Sequence, residues 1–470
     1  MSTAAVHISS SQDVVDAIND KGARKSNLFV IFVALGGILI DAYQATMVGF
    51  GNSYIAQQFG ISPGFAALVN ASVLVSALIA GLYAQTIANR FGQQKTFLIG
   101  MGLCTIGAVA VAFAPNIWVV LVCRILMGVG LGIDFPLATT AVSELNGAKN
   151  KKTGGSVNLW QMGWYVSTTV VYLVLISLNA AAIDEPMLWR YGIFIGAIFA
   201  VLVMILRYTI IGESATWAAR TGRFELAGKL LRDQYNINAV IDPNATAHAS
   251  KTKSVKGAYS ILLSPKYRGR TILGCVVATM QAWQYNAVGV YLPLTLAGIL
   301  SGGLSHALGG SALVNVLCGV TGGGLGSLFV ARFGARFQAG WGFTLVTLAL
   351  LCLGLLSDAS PWVSLFLLGL IIFCHSAGPG GLGMTIATMS FPPSIRTAAI
   401  GFARAIMRAG AIAGLVLWPM AWGAWQTDAF FVLAAVPFIG AITCLLIRWD
   451  YEKGNVDAED KEVLDLLNKN

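Results

Sequence analysis

Long apolar runs separated by short polar breaks dominate the chain. A helix that crosses a bilayer needs about 20 mostly apolar residues. The pattern places such spans near 27–50, 64–88, 96–114, 116–143, 155–178, 188–212, 269–300, 308–330, 337–357, 361–389, 397–424 and 428–449. Helices are the expected form, because in lipid every backbone N–H and C=O must pair within its own segment. The longest polar stretch, 213–268, follows the sixth span. The expected domains are a cytoplasmic tail at 1–26, a six-helix bundle at 27–212, a cytoplasmic connector at 213–268, a second bundle at 269–449 and an acidic tail at 450–470.

The halves carry a short echo. Asn89-Arg90-Phe91-Gly92 follows span 2, and Ala331-Arg332-Phe333-Gly334 follows span 8. The expected fold class is therefore an all-α membrane protein with twelve transmembrane helices in two pseudo-symmetric six-helix bundles. Duplicated halves of this kind are the architecture of many secondary transporters, with a site near the midplane between them.

Composition agrees with the spans. The chain is 56% hydrophobic and 11% charged, against about 45–50% and about 25% in soluble domains. Residues 1–27 are polar and hold no apolar core of a signal peptide, so the first span is expected to persist. The net charge of +9 is a topology signal. Nearly all Lys and Arg fall on one side if the N-terminus is cytoplasmic: Lys21, Arg24 and Lys25; Arg90 and Lys95; Lys149, Lys151 and Lys152; the cluster from Arg220 to Arg270; Arg332 and Arg336; Arg396; and Arg448, Lys453, Lys461 and Lys469. Arg190 is the basic residue of an outside loop. Both termini are thus expected in the cytoplasm, and no nucleic-acid partner is expected. The seven cysteines lie in apolar runs without paired C-x-x-C spacing, so they read as buried apolar residues rather than metal ligands. No G-x-x-x-x-G-K-[ST] loop is present, and no hydrolytic or redox motif. No cofactor, no metal and no enzymatic activity are expected.

Several segments resemble the major facilitator superfamily. Thr86 to Lys95 is similar to its signature G-x-L-x-D-R-x-G-R-R: Arg90 and Gly92 match, Asn89 replaces the usual Asp, and Gln93-Gln94 replaces the basic pair. Ala331 replaces the Asp of the second copy, which keeps Arg332 and Gly334. In that family the motif is a charge-based latch favouring the outward-facing state, and the altered residues leave its strength here open. Other segments resemble the branch of sugar porters, phosphate:proton symporters and aromatic-acid:proton symporters. Asp41-Ala42-Tyr43-Gln44 is similar to D-G-Y-D, with Gln44 for the second Asp. Arg124 to Glu144 is similar to R-x-L-x-G-x-G-x-G-x-D-Y-P…E, Glu213 to Trp217 to E-S-P-R-W, and Phe391 to Arg396 with Gly401…Arg408 to Ala411 to F-P-T-x-x-R…G-R-x-G-A.

Ionisable side chains inside the spans carry the candidate chemistry, since each costs about 3 kcal/mol at the bilayer centre on insertion scales. Asp41 lies midway along span 1. Removal from water favours the neutral form of a carboxyl, which suits proton coupling; a structural pair with an Arg is the alternative. Asp134 lies beside the glycines of span 4 and reads as a proton relay or a packing hydrogen bonder. Arg408 and Arg404 sit one turn apart on span 11. The resemblance implies anion binding by Arg408, and a guanidinium suits carboxylate or phosphate; a salt bridge to an acid such as Asp134 is the alternative. Arg124 is a further candidate, or a salt-bridge partner within the first half. Gln281, Trp283, Tyr285 and Asn286 on span 7 offer amides and aromatic rings to a ligand or to packing. Tyr43 and Gln44 complete the candidate binding set, with His375, which precedes an expected helix break at Ser376 to Gly381. Asn89, Arg90, Gly92, Arg332, Gly334, Glu144, Glu213 and Arg396 form the expected conformational motifs; Glu144 and Glu213 are expected to pair with loop arginines.

The reading is a proton-coupled, alternating-access carrier for a small organic anion such as an aromatic or sugar acid. A sugar or polyol porter and an exporter are the alternatives, and a receptor would need a larger soluble part. Protons, a small-molecule substrate and lipid are the expected partners. A monomer in a bacterial inner membrane is the expected setting.

Overall fold

A computed structural model of the 470-residue chain describes residues 6–21, 28–146, 153–246, 255–299, 303–356, 360–451, 456–459, 462–463 and 466. The side chains of Asn89 and Glu144, and those of Lys21, Arg24, Lys25, Lys149, Lys151, Lys152, Lys453, Lys461 and Lys469, lie outside the described residues.

The apolar runs fold as helices. In the first half these are α2 (Leu28–Ala34), α3 (Gly36–Phe59), α4 (Pro63–Phe91), α5 (Gln93–Ala112), α6 (Ile117–Asn146), α7 (Thr153–Ala180) and α8 (Leu188–Ile210). Among the described residues, nine stretches are long and apolar enough to cross a membrane, the last of them, Ala398–Leu446, holding two helices. The run at 27–50 is not among them. A break at Leu35 shortens it, and Asp41, Gln44 and Asn52 lower its hydropathy. The expected span 7 is likewise broken, into α12 (Arg268–Val288) and α13 (Leu292–Ile299).

Local chemistry sets the ends. Ser62 caps α4 by accepting from Phe65 N at 3.2 Å, with Pro63 in the first turn where its missing N–H costs nothing. Gly92 (φ 95°) joins α4 to α5, and Gly334 (φ 82°) joins α15 (Thr321–Phe333) to α16 (Ala335–Leu356). Both sit in the left-handed region that favours glycine, so the sequence echo is also an echo of backbone shape. On α6, a Cβ at Gly128 would strike the Val73 carbonyl, one at Gly130 the Gly100 carbonyl, and one at Gly132 the Ala77 backbone. The glycines let α4 and α5 approach α6 backbone to backbone.

The second half continues with α14 (Gly303–Val314), a π-helical turn (Asn315–Val320), α15, α16, α17 (Pro361–Ala377), α18 (Pro379–Met389), α19 (Pro393–Trp425) and α20 (Ala429–Leu446). The break between α17 and α18 falls at Gly378, inside the expected stretch, where Pro379 supplies no N–H. The helices α3 to α8 pack largely on one another, as do α12 to α20. Two seams join these sets: α4 against α19, and α7 against α14, α15 and α18.

The polar segments are not loose, and the fold is not purely helical. β1 (Val6–Ser10) pairs in parallel with β2 (Ala239–Thr246). Beside them, α1 (Ser11–Lys21), α9 (Ala215–Arg220) and α10 (Phe224–Tyr235) bury Ile8, Val14, Ile18, Trp217, Phe224 and Leu231 as one small core. The C-terminal segment also docks. Arg270 donates to both oxygens of Glu459 at 2.9 Å, Tyr267 donates to it at 2.9 Å, and Val463 is fully buried.

Candidate functional site

Asp41 on α3 faces the second half of the chain. It accepts a hydrogen bond from Arg408 at 2.7 Å and stands 3.6 Å from Arg404. All three are buried: Asp41 is 4% exposed, Arg408 5% and Arg404 8%. Helical spacing puts both guanidinium groups on one face of α19. Arg404 also stands over the ring of Phe135 of α6, with its guanidinium carbon 3.3 Å from the ring centroid, a cation–π contact. The cluster is therefore an ion triad that ties α3 of the first half to α19 of the second.

Two cavities flank Asp41. One is lined by Trp160, Gln161 and Trp164 from α7, Gln281, Tyr285 and Asn286 from α12, His375 from α17, and Arg404 and Arg408. The other is lined by Asp41, Gln44, Asn70, Arg124 and Asn286 among others. Aromatic rings form the wall of the first. Trp164 Nε1 donates to the Tyr285 hydroxyl at 2.7 Å, Trp160 packs edge-on to Trp164, and the Tyr285 ring lies 5.3 Å from the imidazole of His375. His375 Nδ1 is 2.7 Å from Gln284 Oε1, and its side chain is 1% exposed. Asn286 Nδ2 donates back to Ala282 O at 2.8 Å, and Gln281 Nε2 contacts Met407 Sδ at 3.5 Å.

Both ends of the α7 seam are closed. Asn158 Nδ2 donates to Ser327 Oγ at 3.3 Å at one end, and Asn179 Nδ2 donates to Ser305 Oγ at 3.0 Å at the other. These two hydrogen bonds join α7 to the second half of the chain.

Two sequence candidates stand apart from these cavities. Tyr43 donates to Gly192 O at 2.9 Å and packs on Phe199, so it faces α8. Trp283 is half-buried in the packing around α12 and lines neither cavity. Asp134 is also elsewhere. It forms a buried ion pair with Arg207 of α8, whose second Nη lies 3.1 Å from Asp134 Oδ2. Arg207 in turn donates to the carbonyls of Val33 and Ala34, which the break at Leu35 leaves without helical partners. Its guanidinium carbon is 4.3 Å from the Phe97 ring centroid. Asp134 therefore does not meet Arg408, the partner weighed for it from sequence.

The Sugar (and other) transporter family profile matches residues 30–450. The chain belongs to that family. Its similarity to the inner membrane metabolite transport protein YgcS of Escherichia coli K12 is 27% identity over 421 residues, covering 88% of this chain and 89% of that one. The niacin transporter NiaP of Acinetobacter baylyi is 22% identical, covering 86% and 89%. A structure of the major facilitator superfamily proton:xylose symporter XylE bound to 6-bromo-6-deoxy-D-glucose superposes with a TM-score of 0.73 at 20% identity, covering 93% of this chain and 98% of that one. A partially occluded, inward-open conformation of XylE from E. coli gives 0.72. The fold is thus the major facilitator fold. This member of the Sugar (and other) transporter family is a multi-pass membrane carrier of the sugar and metabolite type, not an enzyme.

Several residues of the expected conformational motifs lie near helix ends. Glu213 Oε1 accepts from the backbone of Gln93 at 2.8 Å and of Ser214 at 3.1 Å, so it caps the first turn of α5, where a carboxylate also meets the positive end of the helix dipole. Gly92 beside it leaves room for that carboxylate, which a Cβ would strike. The second half repeats the plan with other chemistry. Asp450 accepts from Arg336 at 2.7 and 3.1 Å at the start of α16. Arg90 and Arg332 stack on their neighbours Phe91 and Phe333 at 5.5 and 5.6 Å. Arg396 donates from Nε to Phe391 O at 3.1 Å. Glu213 meets backbone donors here.

Sequence reasoning passed over Arg207, Asn70, Trp160, Gln161, Trp164 and Gln284. Arg207 carried a usable signal, an intramembrane charge that needs a partner. The others are ordinary polar and aromatic residues on apolar helices, and only helix rotation turns them inward.

Proposed function

We propose that the protein is a proton-coupled secondary transporter for a small organic anion, such as an aromatic or sugar acid. The observation that carries this is the 2.7 Å ion pair between Asp41 and Arg408 across the cavity. Ionised Asp41 occupies the guanidinium that a substrate carboxylate would use. A proton on Asp41 releases Arg408, and the two events become linked in one turnover. The aromatic wall of Trp160, Trp164 and Tyr285 supports an aromatic or otherwise flat body beside the anionic group. Access alternates as the halves 27–212 and 269–449 rock about the α4–α19 and α7 seams. Both termini and the 213–268 connector face the cytoplasm, and the working unit is a monomer in a bacterial inner membrane.

The amides of Gln161, Gln281 and Asn286 in the same cavity favour a second reading, a sugar or polyol porter in which the arginines are structural. Ligand-induced thermal stabilisation separates the two. Benzoate, nicotinate and galacturonate raise the melting temperature under the first reading, and xylose and glucose do so under the second. In proteoliposomes Asp41→Asn is expected to lose uptake driven by a pH gradient while exchange persists. Undiminished gradient-driven accumulation by that variant sinks the coupling role.

A further inference from the structure

The charges on the two sides of Asp41 do not balance. Arg404 and Arg408 share Asp41 on one side. Arg124 stands on the other, in the cavity that Asp41 itself lines. It is 2% exposed, donates from one Nη to Asn70 Oδ1 at 3.3 Å, and its Nε finds no acceptor. Among the described residues no carboxylate forms a salt bridge with it. Asn70 cannot turn to help, because its own Nδ2 is committed to Asn52 Oδ1 at 2.8 Å. Gln44 lines the same cavity at 1% exposure, and neither atom of its amide has a partner.

Buried polar groups are normally paired, and a buried charge requires a counter-charge. Among the described residues, three guanidinium groups and one carboxylate, that of Asp41, line the two cavities. Protonation of Asp41 widens the imbalance. The two cavities share Ala45, Leu74 and Asn286 in their walls, so they adjoin. Asp134 does not relieve the excess, because it is neutralised by Arg207.

We infer that the cargo is a small dicarboxylate, with one carboxylate at Arg404 and Arg408 and the other at Arg124, where the Gln44 amide donates the further hydrogen bond. The inference rests on the reading of the cavity as an organic-anion site and names its class. A guanidinium with free N–H groups and a neutral amide donor suit a carboxylate, which only accepts. The spacer between the acid groups would lie past Asp41 against Leu74 and Asn286.

The test uses the full chain in lipid nanodiscs and matched pairs of ligands: butanoate with butanedioate, hexanoate with hexanedioate, and benzoate with benzene-1,4-dicarboxylate. At least one dicarboxylate is expected to bind tenfold or more tightly than its monocarboxylate. Arg124→Gln is expected to bring that ratio close to one. Gln44→Glu, which introduces a carboxylate into the Arg124 cavity without removing the cation, is expected to do the same and serves if the Arg124 variant fails to fold. Equal weakening of both members of a pair by Arg124→Gln would mean a structural role and would overturn the assignment. Protection of Arg124 by millimolar chloride alone would also overturn it, since an inorganic anion would then fill the site. Tight monocarboxylate binding without a dicarboxylate preference defeats this inference and spares the organic-anion reading. Binding of neutral sugars with no carboxylate bound defeats both.

Discussion

Asp134 shows how a single residue can be legible as costly while its partner is not. Its position inside an apolar helix marks it as costly, but the sequence does not say which cation answers it. Arg207 does, and it also closes the break in the first span by binding Val33 and Ala34 carbonyls. Gly37 completes the arrangement, because a Cβ there would collide with the Asp134 carboxylate. Gly37→Ala is therefore expected to destabilise the carrier by about 3–5 kcal/mol, the range for breaking a buried ion pair, with a strained-packing term of about 1–3 kcal/mol behind it. Thermal unfolding in detergent checks this. A melting temperature within a degree of wild type would show that the pair is not structural.

Among the elements, the short polar segments depart most from expectation. The N-terminal tail and the connector form a strand pair with a small core, and the C-terminal segment grips the start of α12. Their apolar positions are few, so a hydropathy window dominated by 20-residue spans does not see them. Glu459 reports on the C-terminal contact. Burial opposes its ionisation, but the hydrogen bonds and charge of Arg270 and the Tyr267 hydroxyl outweigh that and hold it below its ordinary 4.5. A carboxyl with a depressed folded value contributes stability above its unfolded value and loses it as pH falls through the folded one. Docking of this segment is thus expected to be complete near neutral pH and to weaken below about pH 4.5. Hydrogen exchange at Val463 measures it, and Glu459→Gln is expected to show weakened docking already at pH 7 with a flattened acid response. Unchanged protection in that variant would assign the docking to apolar burial alone.

At the scale of the whole molecule, function depends on seams between the halves. The seam of α7 is closed near Asn158–Ser327 and near Asn179–Ser305. Under the alternating access proposed above, each closure opens in turn while the other holds. Cysteine pairs made by Asn158→Cys with Ser327→Cys, or by Asn179→Cys with Ser305→Cys, are each expected to lose most uptake on oxidation and to recover with reductant. Full uptake by either oxidised pair would mean that the corresponding end need not part.

The sequence by itself determined that the chain lives in lipid, that its runs are helical, and that Asp41, Arg404, Arg408 and Arg124 are charges within apolar spans. Hydropathy and the cost of intramembrane charge act locally along the chain, so both can be read from it. The echo around Gly92 and Gly334 was legible for the same reason, since a positive φ constrains one residue at a time. Only the tertiary structure decided that Asp41 answers Arg408, that Asp134 answers Arg207, that Tyr43 and Trp283 face away, and that Arg124 forms no salt bridge among the described residues. Those are questions of which helix faces turn toward each other across hundreds of residues, and packing rather than local pattern sets that rotation.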